Sequence, residues 1–218
     1  MNVVRRTILE RVLGRLSRLR IDVPHYLVQL PRIILYRGLS DCRRVNGRLL
    51  RIQPVLLAGR GRMSFGKEVV LGVRPSPGLY STYSHIEART TDASVDIGDD
   101  VWINNNACLM SEGPGIRIGA GCRIGPNFTC IDSDFHEIPL GASAPIRMSA
   151  VMIGARVFVG SNVTILRGVS IGDGCVIAAG AVVSRSMPPW SLVAGNPARL
   201  VRSLTPTGIG SATGAQTP

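Results

Sequence analysis

Residues 97–108 read IGDDVW INNNAC, residues 118–129 read IGAGCR IGPNFT, and residues 153–182 read IGARVF VGSNVT ILRGVS IGDGCV IAAGAV. Every six-residue block opens on a β-branched residue, and its fifth place is apolar or small: Val101, Ala107, Cys122, Phe128, Val157, Val163, Val169, Cys175 and Ala181. Six of the nine second places are Gly. A helix repeats its apolar face at spacings of three and four, and an isolated strand at two, so a strict six fits neither. Three short strands per coil do fit it: each block supplies one flat face, small and polar residues turn the corner, and coils stack into a triangular solenoid.

The spacing between blocks locates the interruptions. Ile153 and Ile171 are one eighteen-residue coil apart, whereas Ile97 and Ile118 are twenty-one apart, which predicts a bulge near residues 112–115. From Ile118 to Ile153 the separation is thirty-five, and residues 131–150 lack the repeat. Roughly one coil's length is therefore expected to loop out there, carrying Asp132-Ser133-Asp134-Phe135-His136.

Blocks, histidine loop, further blocks and then Gly195-Asn196-Pro197-Ala198-Arg199, in that order, resemble the hexapeptide-repeat acyltransferases, in particular the maltose, galactoside and polysaccharide O-acetyltransferases. The resemblance covers about residues 63–202 and implies a mainly β fold, a left-handed parallel β-helix, against the usual right-handed preference of crossovers. It also implies a homotrimer with active sites between subunits. The expected organisation is a basic, partly helical extension over residues 1–62, the repeat domain over 63–202 with its inserted loop 131–150, and a disordered tail over 203–218.

The chain has 218 residues, a net charge of +11 and only 5% aromatic residues. The imbalance is local. Residues 1–62 hold fourteen Arg against Glu10, Asp22 and Asp41, while the remainder has equal numbers of basic and acidic residues. Val4, Ile8, Val12, Leu13, Leu16 and Leu19 recur at helical spacing with Arg11, Arg15 and Arg18 opposite, a basic amphipathic helix. A second apolar segment, Tyr26 to Tyr36, is expected to be broken at Pro31 and Arg32. No stretch reaches the ~20 apolar residues that span a bilayer, and the arginine-interrupted apolar run is not expected to act as a secretory signal. The extension reads either as a cap on the solenoid or as a peripheral contact with an anionic membrane surface; nucleic acid binding has no motif behind it.

Five cysteines form no framework. Cys122, Cys130 and Cys175 fall at inward places, and the odd count points to a reducing cytoplasm. Three histidines without paired spacing build no zinc site, so no metal is expected.

His136 centres the expected chemistry. Acetyl transfer from a thioester to a hydroxyl needs a base to take the proton as the oxygen attacks, and a neutral imidazole suits that at neutral pH. The resemblance makes His136 the catalytic histidine; Asp132, Asp134, Glu137 or a backbone carbonyl is expected to hold its other ring nitrogen. Three consecutive amides, Asn104 to Asn106, are costly in a tight coil unless they bind something or form a side-chain ladder. The resemblance matches Asn104 and Asn106, and more loosely Glu112, to acceptor contacts. It matches Phe158, Ser161 and Ala179 to the pantetheine arm of acetyl-CoA, and Ser184, Arg185, Arg199 and Arg202 to its phosphates, which guanidinium groups suit. His85 ends a Pro/Gly-rich loop and reads as structural.

The function expected is an acetyl-CoA-dependent O-acetyltransferase of a sugar or glycan hydroxyl, by direct attack in a ternary complex, with a backbone amide stabilising the oxyanion. Acetylation of a small amine, antibiotic or amino acid hydroxyl is the second enzyme reading. A non-catalytic trimeric membrane-associated scaffold is the reading of another class.

Overall fold

The computed structural model describes residues 24–205 apart from 26 and 142. The amphipathic helix expected within residues 4–19 and the tail from 206 onward lie outside the described residues.

The chain is a left-handed parallel β-helix. Its outer wall has three faces. Face A stacks Ser94–Ile97, Ile116–Ile118, Val151–Ile153 and Ser170–Ile171. Face B stacks Trp102–Ile103, Arg123–Ile124, Phe158–Val159, Val176–Ile177 and Ser191–Gly195. Face C stacks Val55–Ala58, Ser84–Ala88, Cys108–Ser111, Thr129–Ile131, Thr164–Ile165 and Val182–Val183. Faces A and B join in one sheet because the strand Arg62–Leu71 rounds a corner, pairing with Ser94–Ile97 by its start and with Trp102–Ile103 by its end. The final strand, Ala198–Ser203, closes face B with an antiparallel pairing to Ser191–Gly195.

The register confirms the spacing argument. Ile97 pairs with Ile118, Ile118 with Ile153 and Ile153 with Ile171, so the thirty-five-residue separation is one coil plus the looped-out segment. The resulting columns, such as Ile103, Ile124, Val159, Ile177 and Val193, are buried throughout. Each aliphatic side chain removed from water stabilises the coil by ~1.5–3 kcal/mol, and the regular stacking makes that gain repeat at every level. Cys122, Cys130 and Cys175 are buried in the same core, and all five cysteines are free thiols.

Two positions of the six-residue block need explanation. The backbone turns left-handed at the fourth place of every block, from Asp100 and Asn106 through Gly121, Asn127, Arg156, Asn162, Gly168 and Gly174 to Gly180. This is the corner residue, which explains the Asn and Gly found there. The second-place Gly answers a different need. A Cβ on Gly119 would lie 2.6 Å from the carbonyl carbon of Gly154 on the next coil, so the coils approach too closely for any side chain there.

The parallel strands begin at Arg44, before the boundary expected at residue 63: Arg44–Arg51 pairs with Arg62–Leu71. Before it, a helix runs over residues 27–39, with 24 and 25 also helical, and continues through Pro31 instead of breaking there. Tertiary bonds account for the difference. The side chain of Gln29 donates to the Leu79 carbonyl, and Arg32 donates to the carbonyls of Leu79 at 3.2 Å and Thr82 at 2.7 Å. These bonds hold the helix against the loop that precedes face C and offset the hydrogen bond lost at proline.

Candidate functional site

The loop that carries His136 grows from the corner between faces C and A. Asp132 anchors it. Fully buried, its carboxylate accepts from Ser111 Oγ at 2.7 Å and from the backbone N–H groups of Glu112 (2.8 Å), Gly113 (3.4 Å) and Gly115 (2.8 Å). The predicted bulge at 112–115 is thus wrapped around one carboxylate. Ser133 bridges to Met148 across the base of the loop, and the Asp134 N–H donates to the Arg147 carbonyl at 3.0 Å. Asp134 also forms an ion pair with Arg167 at 2.6 Å.

His136 stands exposed beyond this base. None of the three carboxylates considered for orienting it does so in the single chain. Asp132 is committed to the bulge and Asp134 to Arg167, while Glu137 accepts from the Ser143 N–H at 3.2 Å. Among the described residues no side chain or carbonyl bonds the imidazole.

What positions the histidine is the residue before it. Phe135 has a left-handed backbone (φ 58) and its N–H donates to Ser133 Oγ at 2.9 Å. Ser133 Oγ donates in turn to Glu112 at 2.6 Å. The guanidinium of Arg89 lies over the Phe135 ring, 4.7 Å from its centroid, and pairs with Glu87 at 2.9 Å and Glu112 at 3.6 Å. Glu112, matched to acceptor binding, is therefore half-buried inside the support of the loop. The hydrogen bonds from Arg89 hold the Glu87 carboxyl below its ordinary range, against the opposing effect of burial.

The three asparagines take three roles. Asn104 Oδ1 accepts from the Asn105 N–H at 2.7 Å and opens onto face B. Asn105, buried, donates to the carbonyls of Val73, Ser76 and Pro77 and so fastens the loop between face B and face C. Asn106 donates to Asn127 at 2.9 Å, and Asn127 to Asn162 at 2.8 Å, a side-chain ladder down one corner. Asn104 and Asn106 therefore do not converge on one ligand site in this chain.

The residues matched to the donor form a different group. Phe158, 53% exposed, and Ser161 line a hollow of about 330 Å³ on face B with Trp102, Asn104 and Arg123. Strand register aligns Phe158, Val176, Leu192 and Arg202 in one outward row, with Arg199 beside it opposite Ala194. At ~4.8 Å per strand the row runs roughly 14 Å from aromatic to cation. Ala179 is exposed at the adjoining corner. Ser184 and Arg185 lie elsewhere, exposed at the corner between faces C and A, the corner that also carries the His136 loop. That corner is opposite face B, so one chain does not bring His136 to its own Phe158 row.

The sequence named Asn105 and Asp132 but not the roles they take here, the clamp on the 73–77 loop and the anchor of the bulge, and Arg89 went unnoticed. The run of three amides hinted at Asn105. Asp132 and Arg89 act through groups distant in sequence, for which no local signal exists. Among the described residues no cluster of three or more His, Cys, Asp or Glu side chains is placed to hold a metal ion.

The architecture, a left-handed β-helix with one histidine-bearing loop and a terminal antiparallel strand, is similar to that of hexapeptide-repeat acetyltransferases. Comparison with known proteins returns the same class. The family model described as "Hexapeptide repeat of succinyl-transferase" matches residues 150–185. A hexapeptide-repeat-containing acetyltransferase of Vibrio cholerae O1 biovar eltor, complexed with acetyl coenzyme A, is 25% identical; the match covers 91% of each chain with a TM-score of 0.52. The N-acyltransferase AntD of Bacillus cereus, in complex with dTDP and 3-hydroxybutyryl-CoA, shares the fold at 19% identity, with 77% of this chain and 84% of that one covered and a TM-score of 0.54. A galactoside acetyltransferase in complex with coenzyme A is 32% identical over 51% of this chain with a TM-score of 0.48, and the match spans 56% of that protein. Repeat, fold and relatives agree in their likeness to hexapeptide-repeat acetyltransferases.

Proposed function

We propose that this protein is an acetyl-CoA-dependent O-acetyltransferase that acts on a sugar or glycan hydroxyl, with His136 as general base. The observation that carries the reading is the opposition of two half-sites on one prism. The Phe158-to-Arg202 row occupies face B, and His136 with Arg185 occupies the opposite corner. Copies related by a threefold axis bring the corner of one against face B of the next, so the working unit is a homotrimer with composite sites. The Vibrio cholerae relative, covered over 91% of its length, is a complex with acetyl coenzyme A, which supports the donor.

The row fits that donor. Phe158 flanks the pantetheine arm, backbone groups at Ser161 and Ala179 face its amides, and Arg199 and Arg202 meet the phosphates with charge-assisted bonds. The acceptor hydroxyl gives its proton to a ring nitrogen of His136 while its oxygen attacks the thioester carbonyl carbon. A backbone N–H takes the developing oxyanion charge. The C–S bond then breaks, coenzyme A leaves as thiolate and receives the proton from the imidazolium, and the acetyl ester departs. No covalent enzyme intermediate is required.

A further observation bears on location. The helix over residues 27–39 leaves Leu27, Leu30, Ile34 and Leu35 exposed; Arg37 on the same helix and Arg43, Arg44 and Arg48 after it are exposed as well. Among the described residues no helix is long and apolar enough to cross a membrane. An exposed apolar helix stripe in an arginine-rich segment suits peripheral attachment to anionic lipid, each cation near the surface contributing about 1 kcal/mol. We place the enzyme in the cytoplasm, at the inner membrane face, with a lipid-linked or polysaccharide precursor as acceptor. Co-flotation with phosphatidylglycerol vesicles, reversed by salt, is the expected result; absence of flotation at low salt removes the membrane from the reading.

Thiol release from acetyl-CoA, measured with sugars, glycans and amines for wild type and His136→Ala, tests the reaction. Acceptor-dependent release that falls by ~10²–10⁴ in the variant is expected. Equal rates would remove His136 from the mechanism, a preference for amines would move the acceptor class, and failure to bind coenzyme A would leave a scaffold.

A further inference from the structure

Face C carries a second hollow that the donor row and the His136 loop do not use. The side chains of His85 and Glu87 point outward from Ser84–Ala88, beside Cys108 and Met110 of the next strand. With Tyr83 and Asn106 they line a space of about 400 Å³. His85 Nε2 lies 3.4 Å from Glu87 Oε2, and the Tyr83 ring lies 6.4 Å from the His85 ring at an interplanar angle of 61°. Tyr83 also meets Tyr36 of the N-terminal helix, at 4.7 Å.

The chemistry of this lining selects a ligand class. A carboxylate accepts hydrogen bonds from hydroxyls, the imidazole nitrogen not facing Glu87 is free to bond a further one, and an exposed tyrosine gives an apolar platform with a polar edge. The nearby cation, Arg89, is already held by Glu87, Glu112 and the Phe135 ring, which leaves a phosphate or carboxylate ligand without a free partner here. A neutral polyhydroxyl ring fits this set. In order across the surface come Tyr83, His85, Glu87, Arg89 and then Phe135, the neighbour of His136. Hollow and base thus occupy separate points on one surface, with the Arg89 guanidinium and the Phe135 ring between them.

We propose that this hollow is an acceptor subsite for a sugar ring other than the one acetylated, so that the enzyme selects an oligosaccharide or longer glycan lying across face C. The inference rests on the O-acetyltransferase reading and extends it to acceptor length. Arg89 joins the two points: it ties the Glu87 wall of the hollow to the residue that precedes the base.

The test separates binding from reaction. Saturation-transfer NMR on the full chain without acetyl-CoA, using maltooligosaccharides and β-1,4-linked N-acetylglucosamine oligomers of one to four rings, reads the hollow alone. Affinity that rises from one ring to two or three is expected, and loss of about tenfold of that affinity in Glu87→Gln and in Tyr83→Ala. Lys67→Ala, on another corner, serves as control, and melting curves establish that each variant is folded. Affinity independent of ring number, no binding of any oligomer, or binding unchanged in both hollow variants would overturn the subsite. Thiol release is scored separately: oligosaccharide binding at the hollow with no acetyl transfer would sink the transferase reading and leave the hollow standing as a glycan site.

Discussion

The buried carboxylate of Asp132 accepts the backbone N–H of Gly115 at 2.8 Å, seventeen residues back in the chain and one coil away in space. With the other three donors it satisfies, this contact closes the 112–115 bulge and starts the histidine loop. Asp132→Asn replaces one acceptor oxygen with an N–H₂ group facing donors. Loss of ~1–3 kcal/mol is expected, read as a lower urea midpoint, together with increased proteolytic nicking within residues 112–150. An unchanged midpoint would show that the carboxylate is dispensable.

Arg89 positions the loop through Phe135 without reaching the reacting atoms. Arg89→Met keeps the aliphatic stem but removes the cation over the ring, worth ~0.5–2 kcal/mol, and its bonds to Glu87 and Glu112. A fall of about tenfold in kcat with little change in the acetyl-CoA KM is expected, and Arg89→Lys should recover only part of it, because lysine lacks the planar fork. A change confined to the acetyl-CoA KM would place Arg89 with the donor instead.

Glu87 should shape the acid limb of stability. Its carboxyl is held below the ordinary range, chiefly by the hydrogen bonds from Arg89. A lowered folded pKa adds stability that is present above the unfolded value of about 4.3 and is lost as pH falls through the folded value. In Glu87→Gln the drop in melting temperature on acidification below about pH 4.5 should therefore be shallower than in wild type. An identical acid limb in the two proteins would refute the assignment.

Two glycines that look alike in sequence should respond differently. In Gly119→Ala the new methyl group meets Gly154 backbone at 2.6 Å, and neither coil is free to move. Loss of ~3 kcal/mol or more is expected, at the upper end for single substitutions. In Gly180→Ala nothing lies within 4 Å, but φ is +74, so a smaller loss of ~1–2 kcal/mol from the left-handed conformation is expected. Thermal melts that rank the two in the opposite order would refute the division between second-place and fourth-place residues.

The sequence by itself determined the coil, because its period of six is a local property that each block states again. The inward columns, the one-coil offset from Ile118 to Ile153 and the loop with His136 all followed from counting residues. The same pattern suggested a separate basic extension, yet parallel pairing already begins at Arg44, where no six-residue period shows. Tertiary structure alone decided how the polar residues are spent. Asn104, Asn105 and Asn106 are identical letters, but one opens onto face B, one clamps a distant loop and one joins a corner ladder. Nor does a sequence state that Asp132 serves the bulge and not the histidine, or that Arg89 lies over Phe135. A hydrogen bond or a ring contact depends on which coil stacks on which, and that is settled only when burial of the aliphatic columns has set the register.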